Sequence, residues 1–209
     1  MVSALRGRRA EWGAARPWLG DYLADDAYNA KCALYKSAVT TLQKTQQSGK
    51  PLFSCKIHKF NRFNKLAERC LLVTETAVFK LDANTFKPLK KPTPITEIGA
   101  VRVMSSDAQL VVISIPAANN DLVVGLVGAS AAHDLVGELV GVLANRFKML
   151  KGTELSVEVE SGATTRCTLG GKTRALQLPS TITPTPHAPA APFTHAHNVI
   201  TYHPASARA

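Results

Sequence analysis

The hydrophobic pattern changes its period near residue 52, and this change limits the folds that the chain can adopt. From there to residue 127, short apolar runs alternate with turn residues, and no helical pattern separates them. The runs cover residues 52–60, 69–74, 77–81, 95–104, 110–115 and 122–127. Successive strands without intervening helices argue against a parallel sheet, so the pattern predicts an antiparallel barrel or sandwich.

One amphipathic helix is predicted after the last of these strands. Its apolar stripe consists of Leu135, Val136, Leu139, Val140, Leu143 and Phe147. Ser130 is a suitable N-cap for it. Strands first and one helix last is the order of a pleckstrin-homology-like barrel. We therefore expect a mainly β fold with α, in which a C-terminal helix caps an antiparallel barrel over residues 51–150.

Helical segments are predicted before the barrel. Residues 1–24 form a basic arm, with Arg6, Arg8, Arg9 and Arg16 around Trp12. A helix is expected over residues 3–15 and closes at Pro17, because a residue that precedes proline avoids the helical conformation. Residues 25–50 form a helical lead-in. Asp25 and Asp26 are its candidate N-caps, and Leu34, Ala38 and Leu42 recur on one face.

A small β extension of the same domain is predicted over residues 151–178. Residues 154–160 alternate as one strand, and residues 166–169 and 175–178 can pair as a hairpin across Gly170 and Gly171. The last segment, residues 179–209, contains repeated prolines among Thr, Ala and His. Such a composition cannot build a core, so the sequence predicts a disordered tail there.

The net charge of +10 indicates an anionic partner, either nucleic acid or an acidic membrane surface. No run of about 18 apolar residues is present, and the N-terminus lacks a secretory signal, so we expect a soluble intracellular protein. Four widely spaced cysteines fit neither a zinc module nor a disulfide framework. They are expected to be reduced and mostly buried.

Basic residues concentrate around the first predicted hairpin. Five of them, Lys56, Lys59, Arg62, Lys65 and Arg69, span the first strand, its loop and the second strand. Strand alternation predicts that Lys59 and Arg69 converge at one rim with the loop cations, where they can bind phosphate together. A second group, Lys87, Lys90 and Lys91, widens this field if its loop reaches the same rim.

Enzyme and metal signals are weak. Gly170-Gly171-Lys172-Thr173 has the end of a phosphate-binding loop, but Arg166 stands where that motif requires glycine. His187, His195, His197 and His203 lie in the proline-rich segment, where no geometry is fixed. Paired carboxylates at a plausible site are also absent from the sequence. We predict no catalytic residue, no metal site and no cofactor.

Several segments resemble the tail homology 1 domain of class I myosins and the segment that joins it to the light-chain-binding neck. They are residues 5–13 (LRGRRAEWG), 16–24 (RPWLGDYLA), 56–62 (KIHKFNR), 69–74 (RCLLVT), 86–91 (FKPLKK) and 121–124 (DLVV). The resemblance runs from about Leu5 to about Leu178. It implies a pleckstrin-homology-like domain that binds anionic phospholipids, including phosphoinositides, and ties an actin-based motor to membranes.

The resemblance also implies which residues hold the lipid headgroup. In this family a lysine on the first strand and an Arg-x-Arg-like arrangement on the second strand do so, which correspond here to Lys59 and Arg69. Ala67 stands where the first basic residue of that arrangement is expected, and Glu68 lies beside it. General attraction to acidic lipid is therefore a safer expectation than selectivity for one phosphoinositide.

Partners and location follow from the same reading. Anionic membrane lipids are expected at the basic rim, and a calmodulin-type light chain is expected near the N-terminal arm. Actin is expected only through a motor domain that these residues do not contain, so no ATPase is assigned to them. The implied location is cytoplasmic, peripheral at the plasma membrane or endosomal membranes, in the actin cortex. The alternative is a protein-interaction module for an acidic partner, such as calmodulin or an actin-associated protein. Nucleic-acid binding is disfavoured, because Phe60 and Phe63 do not form a repeated stacking platform.

Overall fold

The computed structural model describes residues 18–46, 48–106, 108–128, 134–179 and 192–203. In these ranges the first sheet contains β1 (Pro51–Phe60), β2 (Leu66–Thr74), β3 (Ala77–Asp82), β4 (Thr93–Pro94), β5 (Ala100–Met104), β6 (Leu110–Ser114), β7 (Leu122–Val127) and β8 (Ser156–Glu160). The second contains β9 (Thr164–Leu169), β10 (Lys172–Gln177), β11 (Phe193–Ala196) and β12 (Val199–Tyr202). The helices are α1 (Cys32–Gln46) and α2 (Leu135–Lys151). Neither of these two helices has the length and apolar character needed to cross a bilayer.

The first sheet has the strand order β4-β3-β2-β1-β7-β6-β5-β8. Its first seven strands pair in antiparallel fashion, and α2 follows them, so the mainly β, pleckstrin-homology-like arrangement with a C-terminal helix is confirmed. The sheet is open, with β4 and β8 at its edges, where the sequence predicted a barrel. Pro94 limits pairing at one edge because it has no N–H to donate. At the other edge β8 pairs parallel to β5, so the first strand of the predicted β extension lies in this sheet.

The strand predicted at residues 95–104 begins later than expected. Ile95–Glu97 forms a 3₁₀ turn, and β5 starts at Ala100. Ile95 is fully buried, so its apolar character reflects packing in the core and not strand pairing. The backbone N–H of Gly99 donates to the carbonyl of Ser114 at 3.0 Å, and the β5–β6 ladder begins directly after it.

Helix α2 packs its apolar stripe into the main core, as the sequence predicted. The buried members are Leu135, Val136, Leu139, Val140, Leu143 and Phe147. The N-cap is Asp134, and the predicted cap Ser130 lies outside the described residues. Gly152 ends the helix in the left-handed conformation, with φ of 72°, which satisfies a carbonyl of the last turn. One acidic residue, Glu138, is also buried on this helix.

The N-terminal segment differs from its prediction in two ways. Asp25 does not cap a helix, because its side chain accepts from the N–H of Ala27 in a tight turn, and α1 begins only at Cys32. The buried face of α1 is Tyr35, Val39 and Leu42, whereas Leu34 is 49% exposed. Tyr35 turns inward because its ring packs edge-on against Phe86 at 5.5 Å and its hydroxyl donates to Asp21 at 2.7 Å. The basic arm up to residue 17 lies outside the described residues.

The second sheet has the order β11-β12-β10-β9 and packs on the first through a separate apolar cluster. The predicted β9–β10 hairpin across Gly170 and Gly171 is confirmed. The prediction of disorder throughout residues 179–209 is wrong for residues 193–202, which form β11 and β12. These strands form because Phe193, Ile200 and Tyr202 are buried against the first sheet, and β12 pairs parallel to β10.

Three of the four cysteines, Cys55, Cys70 and Cys167, are buried, and Cys32 is partly exposed. None of these four forms a disulfide. Burial raises the pKa of Cys55 well above its usual value and the pKa of Cys70 to about 11. The thiols of Cys55 and Cys70 are therefore protonated core groups and poor nucleophiles.

Candidate functional site

The strand directions bring two basic loops to one end of the first sheet. β1 and β3 run the same way, so the β1–β2 loop, residues 61–65, and the first part of the β3–β4 loop, residues 83–87, lie at one end. We call this end the rim. The β1–β2 loop has a fixed shape because the side-chain oxygen of Asn61 accepts from the N–H groups of Phe63 and Lys65. Asn64 takes the left-handed conformation, with φ of 59°.

Lys59 and Arg69 lie on the same face of the sheet. Lys59 pairs with Ala67, and Arg69 pairs with Ile57, so the two cations are diagonal neighbours across β1 and β2. Both side chains are partly buried at the end of the main core. The register therefore places Lys59 and Arg69 close together, as the sequence predicted.

Two further cations belong to this face. Lys80 on β3 pairs with Leu71, which places it on the same face as Lys59, and Lys90 follows on the β3–β4 loop. Burial, followed by the charges of Lys80, Lys90 and Arg69, lowers the pKa of Lys59 to about 8. Burial and the charge of Lys90 also lower the pKa of Lys80. We call Lys59, Arg69, Lys80 and Lys90 the inner cation cluster.

The inner cation cluster has little counter-charge. Within the described ranges, Lys59, Lys80 and Lys90 form no ion pair and no side-chain hydrogen bond. Asp82 pairs with Arg69 across β2 and β3, but its carboxylate accepts hydrogen bonds from the N–H groups of Asn84 and Thr85. These bonds, and then the charge of Arg69, lower the pKa of Asp82. Lys59 and Lys80 are thus partly buried cations without an ion-pair partner among the described residues, an arrangement that attracts an anion.

The sequence reading missed Lys80. It lies in the middle of the apolar run of residues 77–81 and was treated as part of a strand. A usable signal was present, because alternation places Lys80 on the strand face opposite Phe79 and Leu81, together with Val78 and Asp82. Its partner on β2 could not be assigned without the register.

The loop cations point outward at the rim. Arg62 and Lys65 are exposed, and the guanidinium of Arg62 lies 4.8 Å from the ring centroid of Phe63. Phe63 is 68% exposed at the tip of the loop. The rim therefore presents an apolar ring among cations.

The second predicted group is spread along the β3–β4 loop. Lys87 lies at the rim, since its carbonyl accepts from the N–H of Asp82. The loop then returns along β3, where the N–H of Leu89 donates to the carbonyl of Lys80. Lys90 joins the inner cation cluster through its charge, whereas Lys91 lies further along the loop, in a groove with Gln46 at the end of α1.

Lys56 does not join the inner cation cluster, although the sequence grouped it with Lys59 and Arg69. Alternation along β1 turns it to the face opposite Lys59. Its ammonium donates to the carbonyl of Tyr28 at 3.1 Å and lies 5.1 Å from the centroid of the Tyr28 ring. Lys56 therefore anchors the N-terminal segment to β1.

Similarity to known proteins extends along most of the chain. A protein-family model described as "Unconventional myosin tail, actin- and lipid-binding" matches residues 9–194. Unconventional myosin ID of Drosophila melanogaster is 36% identical over 185 residues, which cover 85% of this chain and 18% of that protein. Unconventional myosin-Id of Homo sapiens is 34% identical over 173 residues, 82% of this chain and 17% of that protein.

Human unconventional myosin-Ig is 37% identical over 145 residues, which cover 68% of this chain and 14% of that protein. The chain thus spans less than a fifth of the length of these curated relatives. Among solved structures, the hSac2 domain from human phosphoinositide phosphatase Sac2 aligns with a TM-score of 0.44 and 10% identity, over 61% of this chain and 89% of that one.

Proposed function

Since the chain belongs to the unconventional myosin tail family, we propose that it binds the phosphates of anionic phospholipids, phosphoinositides included, through the inner cation cluster and the β1–β2 loop. The matched region is the tail of these proteins and not their motor head, so the ATPase is not a property of these residues. The observation that carries the proposal is Lys59, a partly buried lysine held beside three other cations without an ion-pair partner among the described residues.

The depressed pKa of Lys59 expresses the cost of this arrangement. Burial of the ammonium is the largest cause of the lowered pKa, and the like charges of Lys80, Lys90 and Arg69 add to it; a bound phosphate offsets both, because it favours the charged lysine. Arg69 adds a planar guanidinium that can donate two bonds to one phosphate. The site is therefore arranged for a concentrated negative charge such as a phosphorylated headgroup.

Lys80 is relevant to residue 67, where this chain has alanine and the family resemblance implies a basic residue. The family arrangement expects a cation at residue 67, which pairs directly with Lys59. Ala67 leaves that position without charge, and Lys80 supplies a cation on the same face from β3. Glu68 faces the other way, toward its cross-strand partner His58. The acid beside the motif thus does not neutralise the inner cation cluster.

The number of cations sets the scale of affinity for a membrane. Eight basic residues serve the rim and its loops, namely Lys59, Arg62, Lys65, Arg69, Lys80, Lys87, Lys90 and Lys91. At about 1 kcal/mol each near an acidic bilayer they supply at most about 8 kcal/mol, a dissociation constant of about 1 μM. Insertion of the exposed Phe63 ring adds an apolar contribution.

Vesicle co-sedimentation tests the proposal. Binding should rise with the fraction of acidic lipid and fall with salt, because the contact is electrostatic. Lys59→Ala/Arg69→Ala should weaken binding about 30-fold, the equivalent of two lost cations. The matched control is Lys36→Ala/Lys50→Ala, which removes two exposed charges, one on the solvent side of α1 and one before β1 at the end opposite the rim.

A soluble inositol polyphosphate separates headgroup recognition from general attraction. If the inner cation cluster holds a phosphoinositide headgroup, this competitor displaces the protein from vesicles that contain that lipid. Equal binding to neutral and acidic vesicles would contradict the proposal. No binding to any vesicle would instead favour the alternative of an acidic protein partner.

In the complete myosin we propose that this tail holds an actin-based motor at the plasma membrane or endosomal membranes, within the actin cortex. A calmodulin-type light chain at the N-terminal arm remains a prediction, since that arm lies outside the described residues.

A further inference from the structure

The turn between β9 and β10 lies directly against the rim. The side chain of Arg62 rests on Gly170 so closely that a Cβ there would lie 3.2 Å from the Cβ of Arg62. The N–H of Gly170 donates to the side-chain oxygen of Asn120 at 2.9 Å, and the N–H of Gly171 donates to the carbonyl of Asn119 at 3.0 Å. The turn is thus fixed between the β1–β2 loop and the β6–β7 loop.

The register of the hairpin directs two cations of β10 toward the same loop. Lys172 pairs with Leu169, and Arg174 pairs with Cys167, both of which are buried against the first sheet. Lys172 and Arg174 therefore share the face that looks toward that sheet. Lys172 is exposed beyond the apolar contact, and Arg174 reaches the β1–β2 loop, where Nη1 donates to the side-chain oxygen of Asn64.

These cations approach the loop from the side opposite the inner cation cluster. Phe60, next to Lys59 on β1, faces the second sheet and packs with Leu169 and Leu176. Lys59 faces the other way, toward the mouth of the main core. The β1–β2 loop is consequently flanked by basic residues on both sides.

We propose that the β9–β10 turn is a second lipid-contacting lip, in which Lys172 contacts anionic headgroups and Arg174 holds the β1–β2 loop in position. This inference rests on the proposed membrane function and enlarges its surface. The occupant is an acidic lipid surface, because the lip continues the basic rim and contains no acidic residue between Leu169 and Gln177.

Arg174 acts through Asn64 and not on the lipid. Asn64 occupies the left-handed region, so an interaction that fixes its side chain also fixes the turn of the loop. The Nε of Arg174 is buried and has no hydrogen-bond partner among the described residues. The guanidinium is therefore committed to this position by packing and by its bond to Asn64, and a lysine of the same charge cannot reproduce its fork.

Two single variants, measured by co-sedimentation with phosphatidylserine vesicles, test the lip. Lys172→Ala should weaken binding about fivefold, the loss of one cation at the surface. Lys36→Ala removes the same charge from the solvent side of α1 and should change binding less than about twofold. Equal effects of the two variants would overturn the lip.

Arg174→Lys keeps the net charge, so its effect reports position alone. We expect binding to weaken roughly twofold to fivefold and the amides of Asn64 and Lys65 to exchange about fivefold faster, as one lost hydrogen bond allows. In an Asn64→Gly background, which removes the acceptor, Arg174→Lys should change neither quantity. Unchanged exchange in Arg174→Lys alone would refute the positioning role.

These outcomes separate the two proposals. If Lys59→Ala/Arg69→Ala weakens binding as expected while Lys172→Ala and Arg174→Lys bind normally, the second lip is wrong and the membrane function stands. If the unaltered chain does not bind acidic vesicles, both are overturned.

Discussion

Raising the pH from 7 to 9 should weaken the binding of this tail to phosphatidylserine vesicles by about fivefold to tenfold. Burial, with the charges of Lys80, Lys90 and Arg69, lowers the pKa of Lys59 to about 8. The free protein is then about nine-tenths protonated at Lys59 at pH 7 and about one-tenth protonated at pH 9. A neighbouring phosphate favours the charged lysine and raises its pKa in the complex. Affinity for the vesicles is therefore high below the pKa of Lys59 in the free protein and is lost as the pH rises through that pKa.

The fivefold and tenfold limits correspond to two assumptions about how much a neutral Lys59 still contributes to binding. If its charge contributes only as one surface cation, about 1 kcal/mol is lost, which is about fivefold. If only the protonated form binds, the loss follows the protonated fraction and is about tenfold.

Lys59→Arg is the control for this titration. Its guanidinium stays charged over the whole range, so residue 59 no longer contributes to the pH dependence, and the titration of the lipid and of Lys80, whose pKa burial also lowers, cancels when the two proteins are compared. Co-sedimentation at several pH values and constant ionic strength measures both. A pH profile that is the same for the unaltered chain and Lys59→Arg would refute the assignment of Lys59 to the binding site.

Three further predictions concern two packing contacts and the exposed ring of the β1–β2 loop. Glu138→Ala should lower the free energy of unfolding by about 2–4 kcal/mol in urea titration, because it removes a buried carboxylate that accepts from the N–H of Gly20 and from the hydroxyl of Tyr22; a loss below 0.5 kcal/mol would contradict this. Gly125→Ala should destabilise the chain by about 1–3 kcal/mol, since a Cβ there would lie 2.6 Å from the Tyr202 ring, and Gly162→Ala, whose Cβ would meet no side chain within 4 Å, is its control in thermal melts. Phe63→Ser should leave stability within about 0.5 kcal/mol but weaken vesicle binding about tenfold, and unchanged binding would exclude insertion of this ring.

Local patterns in the sequence were sufficient to predict most of the first sheet and α2. The runs at residues 52–60, 77–81 and 122–127 lie within one residue of β1, β3 and β7, because period-two alternation and turn residues act over short distances. Features that depend on distant partners were missed. The parallel addition of β8 to β5 joins segments about 55 residues apart, and nothing in either strand specifies that edge.

The strands β11 and β12 were missed for a different reason. They are four residues each and follow a proline-rich segment, so composition over a longer window predicted disorder. What orders them is burial of Phe193, Ile200 and Tyr202 on the outer face of the first sheet. The sequence did not predict that the outer face of the first sheet is also apolar. No surface on which β11 and β12 could pack was therefore expected.

The candidate site shows the same limit of local patterns more clearly. Lys59 and Arg69 lie on adjacent strands joined by a short loop, so alternation alone brings them together. Lys80 arrives through a second register, between β2 and β3, and Lys90 through a loop that returns along β3. The sequence motif of the β1–β2 hairpin therefore shows that a cation is missing at Ala67. It cannot show that β3 supplies another cation, Lys80, on the same face. It follows that Lys80→Ala should weaken binding to acidic vesicles about as much as Lys59→Ala. A Lys80→Ala variant that binds like the unaltered chain would show that the charge of β3 does not reach the lipid.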